Sequence, residues 1–166
     1  MSASFSDIIS YFKKIAIQHI QIGHSDTEKH FYRFELDEVL TGLKRINYPA
    51  LILEGYKYSF EDAKSDNIIK KRSGAFILID HLHDIGDYDA MHEIWDQLED
   101  ICDDILARIK ADKFNPATKA VRDFDISSAN VVLIANEQDK NYGIRCTFTI
   151  SSARNMDVDP DKWNLV

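Results

Sequence analysis

Cysteine, proline and glycine are all scarce in this chain, and their scarcity limits the kinds of protein it can be. The two cysteines, Cys102 and Cys146, show no CxxC spacing and are too few for a disulfide scaffold. Both fall on predicted apolar faces, so we interpret them as core residues. Six glycines and three prolines in 166 residues leave no Pro/Gly/Ser-rich linker. The sequence therefore predicts a single domain over residues 1–150 and a polar tail over residues 151–166, which we expect to be mobile or to dock on a partner.

Long apolar runs and an excess of positive charge are also missing. No run approaches the roughly 18 apolar residues of a membrane span, and the first residues lack the basic start and apolar stretch of a signal peptide. Acidic residues number 28 against 20 basic ones, which gives a formal charge of −8. A field of this sign repels nucleic acid and anionic lipid. We expect a protein that is made in a cytosol and stays there, with no membrane association and no specific nucleic-acid binding.

No motif of a known catalytic site occurs in the sequence. There is no GxSxG, P-loop, GxGxxG or HExxH, and neither cysteine has the exposed, electropositive setting of a reactive thiolate. We therefore expect neither an enzyme nor a bound cofactor. The alternative is a metal-dependent enzyme that uses His81, His83 and His92, because alternation along a strand puts the first two imidazoles on one side. A polar loop between a strand and a helix explains the same residues.

Helical periodicity is clear in two segments and weaker in a third. Apolar residues recur at three-and-four spacing over residues 4–22, and again over residues 88–110, where Asp87 can cap the first turn. A short helix is predicted after Asp37, and it must end near Asn47 because Pro49 disfavours the α conformation at the residue before it.

Strand-forming segments account for most of the rest. An edge strand is predicted for His30–Phe34, a strand for Ala50–Phe60, and a buried central strand for Gly74–Ile79. The last two strands, 124–135 and 142–150, flank a polar hairpin loop. The element order is α-α-β-β-α-β-β. It predicts an α+β fold with a four-stranded, largely antiparallel sheet and its helices packed on one face.

Two charged groups stand out as candidate subunit contacts. Like charges stack at four-residue spacing along the long helix, which costs roughly 0.2–0.5 kcal/mol per pair in an isolated helix. A basic group lies before the buried strand, in what we predict to be a loop. Each group has a simple interpretation as solvated surface. The sharper hypothesis is that the acidic helix of one copy meets the basic loop of the next, through Asp96, Asp100 and Asp104 on the helix and Lys64, Lys70, Lys71 and Arg72 on the loop.

Four segments in order give the chain a resemblance to a known family. They are Tyr48–Glu54, Arg72–Asp80, the Asp87–Lys110 helix and Asn141–Ile150. Their order and hydrophobic pattern, over roughly residues 5–150, resemble the small tail-terminator or tail-completion proteins of tailed phages. The resemblance implies a virion structural protein, assembled in the bacterial cytoplasm, that forms a homo-oligomeric ring. Such a ring is commonly a hexamer that ends the tail tube and joins it to the connector, so the tail tube and connector proteins would be partners.

A competing hypothesis keeps the fold and changes the assembly. A monomeric or dimeric adaptor would bind another protein through a helix face or through the C-terminal tail. It predicts no closed ring, and a tail that becomes ordered with its partner. The ring protein, the adaptor and the metal-dependent enzyme are the three functions that the sequence leaves open.

Overall fold

The computed structural model describes residues 3–43, 45–62 and 68–164. It is an α+β fold built on one mixed sheet, in which all but one of the strand pairings are antiparallel. None of the helices among these residues has the length and apolar character needed to cross a membrane. In chain order the elements are α1 (Phe5–Gln18), β1 (Phe31–Tyr32), α2 (Leu36–Thr41), β2 (Ala50–Leu53), β3 (Lys57–Asp62), β4 (Ile68–His81), α3 (Tyr88–Asp112), β5 (Phe124–Asn136), β6 (Asn141–Arg154) and a 3-10 turn (Pro160–Lys162).

The sheet has six strands, so the predicted number of four was wrong. Its order is β1-β2-β4-β6-β5, and β3 pairs separately with β4. The long strand β4 explains the extra strand, because its second half pairs with β2 and its first half with β3. The predicted single strand 50–60 is therefore two strands, separated by residues 54–56. The edge strand predicted near His30 is confirmed as the short β1, which runs parallel to β2.

Helices α1 and α3 cover one face of the sheet, which we call the α1/α3 face. Their apolar stripes and one side of the central strands form the larger core, and Phe12 stacks on Phe148 with ring centroids 5.6 Å apart. Caps fix where the two helices begin. The Ser4 hydroxyl accepts a hydrogen bond from the Asp7 amide, and the Asp87 carboxylate accepts one from the Ala90 amide.

The opposite face of the sheet carries a smaller core, and this corrects the prediction that every helix packs on one face. Val39 of α2 packs there with Ile52 and Ile77. Six residues of helix are too short to form a stable stripe alone. Side chains from the flanking loops, including Phe34 and Tyr48, complete the cover.

The predicted boundary between domain and tail falls inside a strand. Residues 151–154 continue β6, and Arg154 lies opposite Ile68 of β4. Beyond the strand, Met156, Val158 and Trp163 are exposed.

Candidate self-assembly surfaces

Strand β5 forms one open edge of the sheet and exposes apolar side chains on both faces. Val131 is 40% exposed, Val132 44% and Leu133 51%. From residue 126 to residue 136 the strand contains no charge and no proline. Soluble proteins usually protect an open edge with such residues, because unpaired backbone groups invite pairing with another chain. We call residues 126–136 the β5 edge.

Carboxylates of α3 lie directly above the β5 edge. Glu99 and Asp103 line a shallow groove of about 190 Å³ together with Cys102, Val131 and Leu133. By helical periodicity Asp96 falls on the same side, whereas Asp100 and Asp104 turn toward solvent and α1. Asp104 contacts the His19 ring at 3.4 Å within the same chain. Asp96, Asp100 and Asp104, the acidic residues predicted for an interface, are all exposed, and none of the three lines this groove.

The opposite end of the sheet, at β1, is basic. A cleft of about 510 Å³ runs beside this strand and is lined by Lys13, Lys29, Arg33 and one carboxylate, Asp26. The Arg33 guanidinium lies 4.9 Å from the centre of the Phe5 ring, which places it on the α1/α3 face. We call this surface, from Lys29 to Phe34 with Lys13, the β1 edge. Opposite ends of one sheet thus carry charges of opposite sign.

The basic group predicted as a loop lies mostly in strand β4. Lys70, Lys71 and Arg72 pair with Phe60, Ser59 and Tyr58 of β3, and Lys64 lies outside the described residues. These positions differ greatly in exposure, so they do not form a single basic surface.

Arg72 is a buried structural residue. It is 4% exposed, and its guanidinium donates to the Ser152 hydroxyl and to the Ala3 carbonyl. Lys71 forms an ion pair with Glu61 at 2.6 Å. Partial burial, together with the nearby Arg72 and Arg154, lowers the pKa of Lys70, while its ammonium lies 3.9 Å from the centre of the Tyr58 ring.

The histidines that were candidate metal ligands do not assemble a site. His81 stacks near Tyr48 and contacts the Asn141 side chain at 3.2 Å, while His83 and His92 are exposed. Over residues 3–43, 45–62 and 68–164, no group of three His, Cys, Asp or Glu side chains has the geometry to hold a metal ion.

A second polar cleft, of about 460 Å³, lies on the face opposite α1 and α3. At its base the Arg145 guanidinium donates two hydrogen bonds of 2.7 Å to the carboxylate of Glu54, which is almost fully buried. A buried charge pair of this geometry neutralises itself. We interpret it as a structural link between β2 and β6.

The two cysteines are core residues, as predicted from the sequence. Cys102 of α3 and Cys146 of β6 are both buried, and a hydrogen bond between them, together with burial, raises the pKa of the Cys102 thiol. A thiol held in its neutral form is a poor nucleophile.

Sequence reasoning missed the residues of both sheet ends. Val131–Leu133 was predicted only as part of the strand 124–135, without a position in the sheet, and Lys13 and Arg33 are distant in sequence. Comparison with models of protein families and with curated protein sequences finds no match to this chain. The resemblance to tail-terminator proteins therefore stays a prediction.

Proposed function

We propose that this chain is a structural subunit of a phage tail or of a related phage-like particle. It closes into a homo-oligomeric ring, most simply a hexamer, at the end of a tail tube. There it completes the tail and joins it to the connector. The position in the particle is taken from the resemblance in element order, and the ability to form a ring is inferred from the two open ends of the sheet.

The observation that carries the proposal is the pair of unlike open ends of one sheet. A cyclic ring needs heterologous contacts, in which one surface of a protomer complements a different surface of its neighbour. Here the acidic, apolar β5 edge and the basic β1 edge lie at opposite ends of the strand order. A dimeric adaptor would instead require one self-complementary surface.

The net charge suits a passage for DNA through such a ring. With a formal charge of −8, the protomer as a whole repels a polyanion. A lumen with that sign would let DNA slide through without binding.

The test is the mass of the protein in solution. Light scattering over a concentration series, with negative-stain images of the same samples, should show closed rings of about six copies. A dimer that does not grow with concentration would favour the adaptor. A monomer at every concentration would remove the ring.

A further inference from the structure

The two end strands of the sheet lie at the same level. Following the register across the sheet, one row consists of Phe31, Leu51, Leu78, Ile144 and Leu133. The next row consists of Tyr32, Ile52, Ile77, Arg145 and Val132. The exposed apolar part of β5 is therefore level with β1.

The backbone groups that face outward lie on these same rows. The Glu54 amide donates to the Ala75 carbonyl, and the Leu51 amide donates to the His30 carbonyl. Alternate residues of a strand bond to the same neighbour, so these two bonds set the pattern for the whole sheet. By that pattern the odd-numbered residues of both end strands turn their backbone groups away from the sheet. Leu133 and Phe31 are the outward pair of one row.

Strand direction also suits a junction between copies. β1 is parallel to β2, and three antiparallel pairings then lead to β5, so the two end strands run in opposite directions. Rotation about an axis along the strands preserves direction. A neighbour related by such a rotation would thus present β1 antiparallel to β5. Antiparallel pairing is slightly more stable per residue than parallel pairing.

Charge selects this junction over a symmetrical one. Glu99 and Asp103 lie on the α1/α3 face beside β5, and Arg33 and Lys13 lie on the same face beside β1. Two β5 edges brought together would oppose their carboxylates, which is destabilising. The basic segment of β4 is a poorer partner for β5. It lies opposite residues 150–152 of β6, whereas the apolar part of β5 lies opposite residues 144–146, so the two are about six residues, or roughly 20 Å, apart along the strands.

We propose that β5 of one copy pairs antiparallel with β1 of the next copy, so that the sheet continues across the subunit boundary, with Glu99 and Asp103 facing Lys13 and Arg33. This inference rests on the proposed ring and specifies its seam. The partner of the β5 edge is a second copy of this chain.

The first experiment reverses the charges on one side at a time. Glu99→Lys with Asp103→Lys makes both ends of the sheet basic, and Lys13→Glu with Arg33→Glu makes both ends acidic. Each double variant alone should be monomeric by light scattering, and an equimolar mixture should recover the full mass with the two variants alternating. As a matched control on the same helix, Glu93→Lys with Asp100→Lys should leave assembly unchanged. If the charge-reversed variants assemble alone like the wild type, or if their mixture stays monomeric, the seam is wrong.

The second experiment blocks the backbone at each open edge. Leu133→Pro removes an outward amide of β5 and leaves its bonds to β6, so it should abolish the ring. Tyr58→Pro makes the equivalent change on the open edge of β3 and should leave the ring intact. Urea unfolding followed by circular dichroism verifies that each variant is folded.

The outcomes separate the seam from the function. Rings that persist in Leu133→Pro and vanish in Tyr58→Pro would overturn the seam and leave the ring standing. Open head-to-tail chains that Leu133→Pro dissolves would support the seam and overturn the closed ring. A wild-type monomer at all concentrations would overturn both.

Discussion

The open edges formed by β3 and β5 differ in the number of charged residues that they carry. Three of the six residues of β3 are charged, and Lys71 of the neighbouring strand forms an ion pair with Glu61. The β5 edge has no charge over eleven residues and exposes Val131, Val132 and Leu133. Charged side chains on an edge prevent pairing with other chains. The contrast in charge supports the proposal that β5, and not β3, pairs with a second copy of the chain.

The largest expected loss in the free energy of unfolding comes from replacing Arg72, the buried residue of β4 that lies opposite Tyr58 of β3. Arg72→Glu would bury a carboxylate in place of a guanidinium that bonds Ser152 and the Ala3 carbonyl. An unpaired buried charge costs about 3–5 kcal/mol of the free energy of unfolding. Urea titration should show this loss, whereas Lys71→Ala, which breaks a partly exposed ion pair, should cost less than about 1 kcal/mol. Equal losses for the two variants would contradict the structural role of Arg72.

A smaller loss in the free energy of unfolding is expected from a substitution at Gly143, in the strand that pairs with β5. Gly143 of β6 lies opposite Ile134, and a Cβ added to it would meet the Leu78 carbonyl oxygen at 2.5 Å. Because that atom belongs to the backbone of β4, the strands must move apart. Gly143→Ala should lower the free energy of unfolding by about 1–3 kcal/mol. Hydrogen exchange should then show faster exchange in β5 and β6 than in β3, and uniform exchange would argue against a local effect.

The smallest effect should appear as a pH dependence at the start of β5. Hydrogen bonds from the Ser127 hydroxyl and amide lower the pKa of Asp125 below its usual 3.8. A carboxyl with a lowered pKa in the folded state stabilises the fold above pH 3.8, and this contribution is lost as the pH falls through the folded-state value. Asp125→Asn should therefore flatten the decline of the urea midpoint below pH 4. An unchanged decline would show that other carboxylates cause it.

Local pattern was enough to predict the helices and most strands. The stripe of α3 and the alternation of β6 depend on spacing within one segment, so both appear in the sequence. The split of residues 50–60 into β2 and β3 depends on how two halves of β4 take different partners, and no local pattern contains that information.

The candidate surfaces were harder to predict for the same reason. Val131–Leu133 is as apolar as the buried run in β4, and only its place at the end of the strand order exposes it. Arg72 was predicted as part of a solvated basic group, but its guanidinium bonds Ala3 and Ser152, which are 69 and 80 residues away in the sequence.

The level rows across the sheet have a consequence for the size of the proposed ring. A sheet that continued from copy to copy without a stagger would have its strands along the ring axis, so each protomer would add the width of five strands to the circumference. At about 4.8 Å per strand, six copies give a backbone cylinder roughly 46 Å across. The width of the bore is then set by the number of copies, and a single averaged image of the ring measures it.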